Sequence, residues 1–265
     1  MIKVDGVPVE IGRYPDGTLR LEAGAGPGGA TVEWLYERDE EMALYFIARH
    51  LRGQCGAGRM TLRMPYIPNA RMDRVKEARE VFTLKHFCEF VNLMGFDEVI
   101  VRDPHSDISL SMLDNAVVEP VGDTVRGLVD SLLDPRRDIV FYPDEGSLRR
   151  YSAMVDFPYA YGVKDRDWNT GRISGLKVRG TLPPAPFNAL IVDDISSYGG
   201  TFLLSARKLK DLGAGKVYLY VTHCEDSILK GELIGSDLID RIYTTKSIFT
   251  GDHPLIEVIG GAPDG

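Results

Sequence analysis

The feature that most constrains the fold of this chain is an aliphatic stretch, NALIVDDISSYGG, that runs directly into two acidic residues and a pair of glycines. A continuous apolar stretch that ends in polar residues is typical of a buried parallel strand whose carboxyl end opens into a loop. The next segment, TFLLSARKLKDLG, predicts a helix that ends at a glycine. Strand, turn and helix in this order form the unit from which parallel α/β sheets are built.

Similar units recur along the chain. The acidic residues 39–41 followed by MALYFIARHL predict a helix that ends before Gly53, and apolar residues at helical spacing over residues 76–94 predict a long helix that stops at Gly95. The aliphatic segments that predict strands are RMTLRM, FDEVIVRDPH, DIVFYPDEG, AYGVKDR, KVYLYVTH and RIYTT. This alternation predicts an α/β fold with mainly parallel sheets.

The two halves of the chain have similar patterns, because EVIVRDPHS and ALIVDDISS are both aliphatic strands that run into an acidic residue. Pro120 and Gly122 interrupt the pattern between them. We therefore expect two similar domains, residues 1–119 and residues 120–265.

Composition narrows the class of ligand. The chain has 265 residues with 31 basic and 39 acidic side chains, a formal net charge of −8. This charge disfavours a general nucleic-acid binder, so an anionic ligand must be met by local Lys, Arg, backbone amides or a metal ion. No stretch approaches the roughly 18 apolar residues of a membrane helix. Three cysteines without zinc-type spacing predict free thiols, and we expect a cytoplasmic protein with a small-molecule ligand.

The segment around Asp193 and Asp194 carries most of the recognisable chemistry. Gly199 and Gly200 allow backbone amides to approach an anion closely, and the helix that follows offers unpaired N–H groups, which together suit a phosphate. The two carboxylates suit sugar hydroxyls or a magnesium ion. The alternative is that the acidic pair and the glycines only close a strand and cap a helix.

This segment resembles the phosphoribosyl diphosphate (PRPP) signature of type I phosphoribosyltransferase-like proteins, which consists of an aliphatic strand, two acids, a short turn and Gly-Thr. Other segments follow the order found in ribose-phosphate pyrophosphokinases, or PRPP synthetases. They are RYPDGTLRL for adenine contact, PYIPNARMDR for the ATP loop, VRDPH for the Asp-x-His element, YPDEGSLRRY for the diphosphate loop and YGVKDRDWNTGRISG for the mobile catalytic loop. The chain is similar to that family over about residues 12–245.

The resemblance implies two phosphoribosyltransferase-like domains, each with a mainly parallel sheet flanked by helices. Residues 1–119 would form the ATP side and residues 120–265 the ribose-phosphate side. The implied ATP-binding residues are Tyr14, which would stack on the base, Asp16, Arg71, Asp73 and His105. The implied metal ligands are His105 and Asp144, and the implied catalytic cations are Lys164 and Arg166. The implied ribose-phosphate residues are Asp193, Asp194, Ser196, Ser197, Tyr198, Gly199, Gly200 and Thr201.

The activity implied by the resemblance is the Mg²⁺-dependent transfer of the diphosphoryl group of ATP to the C1 hydroxyl of ribose 5-phosphate, which gives PRPP and AMP. Members of the family are commonly homo-oligomers in which a neighbour supplies the early aromatic segment. The resemblance therefore implies at least a dimer with two small-molecule substrates.

One departure from the family pattern keeps other activities open. The family loop usually reads Asp-Thr-x-Gly-Thr, whereas this chain has Ser197, Tyr198, Gly199, Gly200 and Thr201. Loss of an acid and gain of a glycine suit a larger ribosyl phosphate, so the same chemistry on ADP-ribose is an alternative. A phosphoribosyltransferase and a catalytically inactive regulatory homologue are two more. Taken singly, His105 is more typical of a hydrogen-bonded structural histidine than of a ligand, and the charged run KDRD is typical of a solvated loop.

Overall fold

A computed structural model describes residues 1–26, 28–56, 58–166 and 173–260, and for residues 164–166 and 173–174 it describes the backbone alone. The chain divides into two compact units, Met1–Pro120 and Val121–Gly265.

The first unit is built around a six-stranded sheet. In chain order its strands are β1 (Ile2–Val4), β2 (Val7–Pro8), β3 (Ile11–Arg13), β4 (Leu19–Leu21), β5 (Gly29–Trp34), β6 (Arg59–Arg63), β7 (Glu98–Arg102) and β8 (Ala116–Glu119). The sheet order is β2-β1-β5-β6-β7-β8, and β3 pairs with β4 in a separate hairpin. The strands from β5 to β8 are parallel. The helices are α1 (Glu41–Cys55), α2 (Thr83–Asn92) and α3 (Asp107–Met112).

The long helix predicted over residues 76–94 is wrong in its first part, because α2 begins only at Thr83. The backbone N–H groups of Lys76 and Glu77 donate to the carboxylate of Glu80, at 2.7 and 3.3 Å, and hold a turn instead. Val81, which the sequence pattern assigned to the buried face, is 63% exposed. The buried helical face therefore starts at Leu84.

The second unit is built around a seven-stranded sheet. Its strands are β9 (Ile139–Tyr142), β10 (Tyr159–Arg166), β11 (Ile173–Gly180), β12 (Phe187–Ser196), β13 (Ala214–Cys224), β14 (Arg241–Thr245) and β15 (Ile256–Ile259). The order is β11-β10-β9-β12-β13-β14-β15. Only the pair β10–β11 is antiparallel among the described strands of this sheet. The helices are α4 (Gly122–Leu132), α5 (Glu145–Tyr151) and α6 (Gly200–Asp211).

Strand β12 lies at the centre of this sheet between β9 and β13, and both of its faces are covered. One face packs with α6 through Phe202 and Leu209. The other packs with α4 and α5 through Val125 and Tyr151. The predicted α/β class with two mainly parallel sheets flanked by helices is confirmed, and the central position of β12 explains its continuous apolar sequence.

Among the described residues, no helix has both the length and the apolar character needed to cross a bilayer. Cys55, Cys88 and Cys224 are free and buried. Burial raises the pKa of Cys88 to about 11 and that of Cys224 to about 12, so both are thiols at neutral pH.

Candidate active site

The two acidic residues of the second unit lie at the carboxyl end of β12. Successive side chains of a strand point to opposite faces, so Asp193 shares a face with Ile191 and Asp194 shares a face with Val192. Asp194 is buried. The backbone N–H of Asp194 donates to Oδ1 of Asp193 at 3.0 Å. The strand thus presents both carboxylates at the edge of the sheet where ligands bind in open α/β folds.

Negative charge accumulates at this strand end. Burial, followed by repulsion from Asp194 and from Asp144, raises the pKa of Asp193 well above its usual range. Asp144 is the N-cap of α5, where its side chain accepts from the backbone N–H groups of Gly146 and Ser147. The structure therefore brings three acidic residues predicted from two separate motifs into one electrostatic environment, which favours a bound cation.

Arg150 is a member of this site that the sequence analysis missed. Its Nη1 lies 2.9 Å from Oδ2 of Asp194, and the Arg150 side chain is 24% exposed. Arg150 is in the last turn of α5, the helix that Asp144 caps. The dipeptide RR in the diphosphate-loop segment was the available signal, but a pairing between residues 150 and 194 depends on the folded sheet.

The turn after β12 has the shape of an anion cradle. Gly199 has φ +80°, a left-handed conformation that favours glycine, and α6 begins at Gly200. The first N–H groups of a helix have no intrahelical partners and lie at the positive end of its dipole. A Cβ added at Gly200 would meet nothing within 4 Å, whereas Tyr198 is 61% exposed beside it. Of the predicted residues, Ser196 ends β12, residues 197–199 form the turn, and Gly200 and Thr201 begin α6.

Lys164 and Arg166 lie near the end of β10, and their backbones pair with Leu176 and Ile173 of β11. Their side chains, and residues 167–172 of the predicted catalytic loop, lie outside the part of the chain that the structure describes.

In the first unit, the predicted ATP loop lines a cavity of about 310 Å³. Its walls are Arg71, Met72, Asp73, Arg74, Lys76 and Glu80. Three of these six side chains are cationic and two are acidic, so the cavity has a small excess of positive charge that suits an anion such as a phosphate chain.

Asp73 connects this cavity to the predicted Asp-x-His element. Nε and Nη2 of Arg74 donate to the two carboxylate oxygens of Asp73 at 2.8 and 3.0 Å. These hydrogen bonds outweigh burial and lower the pKa of Asp73, and the nearby His105 acts in the same direction. Two motifs separated by about thirty residues of sequence are therefore neighbours, and Asp73 serves as the anchor between them.

Asp103 follows β7 directly and is buried, with φ +41°. A second cluster that the sequence analysis missed lies beside it at the carboxyl ends of three neighbouring strands. Oε1 of Glu119 accepts from Arg63 at 2.9 Å, and Oε2 accepts from Arg102 at 2.7 Å. The cluster fixes the strand end from which Asp103 and His105 emerge.

Tyr14 and Asp16 lie in the turn of the separate β3–β4 hairpin. Tyr14 is 54% exposed, and the carboxylate of Asp16 accepts from the backbone N–H and hydroxyl of Thr18 at 3.0 and 2.7 Å. Within the described part of the chain, the hydrogen bonds of both residues stay inside the hairpin.

Comparison with known proteins identifies the family. The chain is 30% identical over 251 residues to the ribose-phosphate pyrophosphokinase of Shewanella oneidensis, across 90% of this chain and 78% of that protein. The chain belongs to the ribose-phosphate pyrophosphokinase family. The ribose-phosphate pyrophosphokinase of Pasteurella multocida is 29% identical to this chain over 248 residues, across 90% of this chain and 78% of that protein. No family model matches the chain.

The fold agrees with this membership. A phosphoribosylpyrophosphate synthetase from Mycobacterium smegmatis superposes with a TM-score of 0.77 at 18% identity, over 95% of this chain and 85% of that one. Ribose-phosphate pyrophosphokinases are transferases, so this member of the family is an enzyme.

The carboxylates near the carboxyl end of β12 can be compared with the ligands that a magnesium ion usually takes. Among residues 1–26, 28–56, 58–166 and 173–260, no three His, Cys, Asp or Glu side chains form a ready-made metal cluster. Mg²⁺ usually takes one or two carboxylates together with waters and substrate phosphates, so it does not require such a cluster. Asp144 and Asp193 supply oxygen atoms in a region with excess negative charge. The donor set therefore fits a magnesium ion that arrives with phosphate.

Proposed function

We propose that the chain transfers the diphosphoryl group of ATP to the C1 hydroxyl of ribose 5-phosphate in a Mg²⁺-dependent reaction, and releases PRPP and AMP. The observation that carries the proposal is the strand end of β12, where Asp193 and Asp194 directly precede an open glycine turn and a helix N-terminus. Ribose 5-phosphate needs hydrogen-bond acceptors for its hydroxyls and donors for its phosphate. This segment offers both within eight residues.

On the sugar side, Asp193 and Asp194 would accept hydrogen bonds from the 2- and 3-hydroxyls and leave the C1 hydroxyl free to react. Arg150 holds Asp194 at 2.9 Å and so limits the directions in which that carboxylate can point. Ser196, Ser197, Tyr198, Gly199, Gly200 and Thr201 would cradle the 5-phosphate with their backbone amides and hydroxyls. Orientation of this kind is a large part of the rate enhancement that phosphoryl transfer requires.

On the nucleotide side, the first unit would hold ATP. Arg71 in the cationic cavity would contact the phosphate chain, and Asp73 would keep the loop of His105 in place. Tyr14 would stack on adenine and Asp16 would contact its polar edge. The exposed ring of Tyr14 supports this role, because an aromatic residue exposed at a turn is available to a base.

Lys164 and Arg166 would stabilise the charge that develops on the transferred group. Arg offers a planar, permanently charged fork and Lys a compact ammonium, so together they can follow a moving phosphoryl group. A bound Mg²⁺ would neutralise phosphate charge. The proposed metal contact of the first unit is His105, and that of the second unit is Asp144.

The proposal is tested by incubating the protein with ATP, Mg²⁺ and ribose 5-phosphate and measuring AMP and PRPP. We expect equal amounts of both products. Replacement of Mg²⁺ by EDTA should abolish their formation. Absence of AMP with ribose 5-phosphate and with ADP-ribose alike would contradict the proposed chemistry.

A second candidate acceptor is ADP-ribose, and two observations favour it. Tyr198 is 61% exposed beside the turn, and the position of a family acid is taken by Ser197. An exposed aromatic ring and a less negative turn suit a ligand with a second phosphate and a base. A comparison of kcat/KM for the two acceptors at equal ATP decides between them, and Tyr198→Ala should lower the rate with ADP-ribose only.

The other interpretations make separate predictions. A phosphoribosyltransferase would consume PRPP with a nucleobase and would not use ATP. An inactive regulatory homologue would bind nucleotide without releasing AMP. The same assay with these substrates therefore separates all four possibilities.

We also propose that the protein acts as a homo-oligomer, at least a dimer. The exposed Tyr14 at the tip of a hairpin supports this, because such a hairpin can reach the nucleotide site of a neighbouring subunit. Light scattering coupled to gel filtration should give at least twice the monomer mass of 29.4 kDa.

A further inference from the structure

The segment of residues 225–233, here called the supporting segment, lies directly against the glycine turn that follows β12. The backbone N–H of Glu225 donates to the carbonyl oxygen of Ser196 at 2.8 Å. Further along, the backbone of Tyr198 lies against Gly231 so closely that a Cβ added to Gly231 would overlap the carbonyl oxygen of Tyr198. The supporting segment thus contacts two carbonyl groups of the turn, those of Ser196 and Tyr198.

The turn approaches the supporting segment closely at a second point, Gly199. A Cβ added at Gly199 would lie 2.8 Å from Cδ2 of Leu233, in addition to the left-handed φ of Gly199. Glycines therefore stand on both sides of the contact. Gly199 allows the turn to adopt its left-handed conformation, and Gly231 allows the supporting segment to approach the turn.

The supporting segment is held in place independently of the turn. Ile228 and Leu233 are buried in the core of the second unit. The carboxylate of Asp226 accepts from the backbone N–H groups of Thr250 and Gly251 at 2.9 and 3.0 Å, and from the hydroxyl of Thr250. Because the segment is anchored at both ends, it can determine the conformation of the turn.

The contact also determines which way the amides of the turn point. In a planar trans peptide, the C=O and the N–H point in opposite directions. Because the carbonyls of Ser196 and Tyr198 face the supporting segment, the N–H groups of Ser197 and Gly199 point away from it. These are the directions that an anion in the turn requires.

We propose that Gly231 is a positioning residue for the phosphate of the ribosyl substrate. It sets the peptide plane between Tyr198 and Gly199 and thereby aims the Gly199 N–H at the phosphate. The inference rests on the proposed function, because it assigns the turn to that phosphate. A side chain at position 231 would displace the Tyr198 carbonyl and rotate this amide away from the ligand.

The test compares Gly231→Ala with Gly235→Ala, a glycine where an added Cβ meets nothing within 4 Å. For Gly231→Ala we expect a KM for ribose 5-phosphate, and a Kd from calorimetry, about ten to a hundred times higher, since a displacement of about 1 Å has effects of that order. The KM for ATP should stay unchanged. Gly235→Ala should match the wild type in all three values.

A folded Gly231→Ala protein that binds ribose 5-phosphate as tightly as the wild type would overturn the inference. If that variant does not fold, NMR of the wild-type protein tests the inference instead. Addition of inorganic phosphate should shift the amide signals of Ser197 and Gly199, and unchanged signals would overturn the inference. If the wild type releases no AMP but shows these shifts, the proposed function fails while the assignment of the turn to a phosphate stands.

Discussion

The carboxyl end of β7 in the first unit and that of β12 in the second lead into different structures. In the first unit, β7 ends at Arg102, and Asp103 follows with φ +41° before a helix of only six residues. In the second unit, β12 ends at Ser196, and a glycine turn leads into a helix of twelve residues. The cavity of the first unit is lined by three cationic and two acidic side chains, whereas the second unit presents backbone amides and carboxylates.

This difference indicates a division of tasks. Long cationic side chains adapt to a flexible phosphate chain, while a glycine turn recognises a single phosphate with fixed geometry. We therefore propose that the first unit binds the triphosphate and the second binds the sugar phosphate. Substitution of a substrate-binding residue in either unit should change the KM of one substrate and leave that of the other unchanged.

The largest effect is expected for Lys164→Ala, because it removes charge stabilisation from the transferred group itself. We expect kcat to fall about a hundredfold to a thousandfold with little change in either KM. Steady-state kinetics provide the measurement, and Lys216→Ala, at an exposed lysine of β13, is the matched control. A kcat equal to that of the wild type would remove Lys164 from the catalytic groups.

The next effect is expected for Asp193→Asn in the sugar site. Asn replaces one carboxyl oxygen with an NH2 group, which cannot accept a hydrogen bond from a ribose hydroxyl, so kcat/KM for ribose 5-phosphate should fall about tenfold to a hundredfold. Burial and two neighbouring carboxylates raise the pKa of Asp193, so the ionised form is disfavoured in the fold. The free energy of unfolding should therefore stay equal or increase. A variant with normal activity and reduced stability would show a structural role instead.

A smaller and selective effect is expected for Arg71→Ala in the nucleotide cavity. Loss of one cation from a partly solvated phosphate site should raise the KM for ATP about tenfold and leave the KM for ribose 5-phosphate unchanged. Arg79→Ala, at an exposed arginine nearby in sequence, is the control. Equal changes in both constants would contradict the division of tasks between the units.

The smallest effect is expected for Asp226→Ala, which loosens the supporting segment. Burial favours the protonated form, but hydrogen bonds from Thr250 and Gly251 outweigh it and lower the pKa of Asp226. A carboxyl with a lowered folded pKa contributes stability above its unfolded value of about 4 and loses it as the pH falls. Because Asp226 is exposed, the loss at pH 7 should be about 1 kcal/mol or less. Urea unfolding at pH 7 and pH 3 measures it, and a larger difference from wild type at pH 3 would contradict the assignment.

The sequence was sufficient for features whose causes are local. The β12 strand, the Gly199 turn and α6 were predicted correctly, because the apolar run, the glycine and the helical spacing are each encoded within a few residues. The start of α2 was predicted wrongly, because apolar spacing alone does not show that Val81 is exposed and that Glu80 closes a turn.

The non-local parts of the site could not be predicted. Arg150 meets Asp194 only after β9 and β12 have paired, and Arg63, Arg102 and Glu119 meet only at the carboxyl edge of a formed sheet. The contact of Gly231 with Tyr198 likewise depends on how a short 3₁₀ helix returns to the turn. Local sequence thus predicts where the ligand groups lie, and tertiary structure determines which residues orient them.

The central claim is tested most directly by following ATP that carries a radiolabel on its β-phosphorus, with ribose 5-phosphate and with ADP-ribose as acceptors. The account predicts that the label leaves the nucleotide for the acceptor sugar, mole for mole with unlabelled AMP. Label that remains in ADP, or appears only as free phosphate or diphosphate, would show that the enzyme does not transfer a diphosphoryl group.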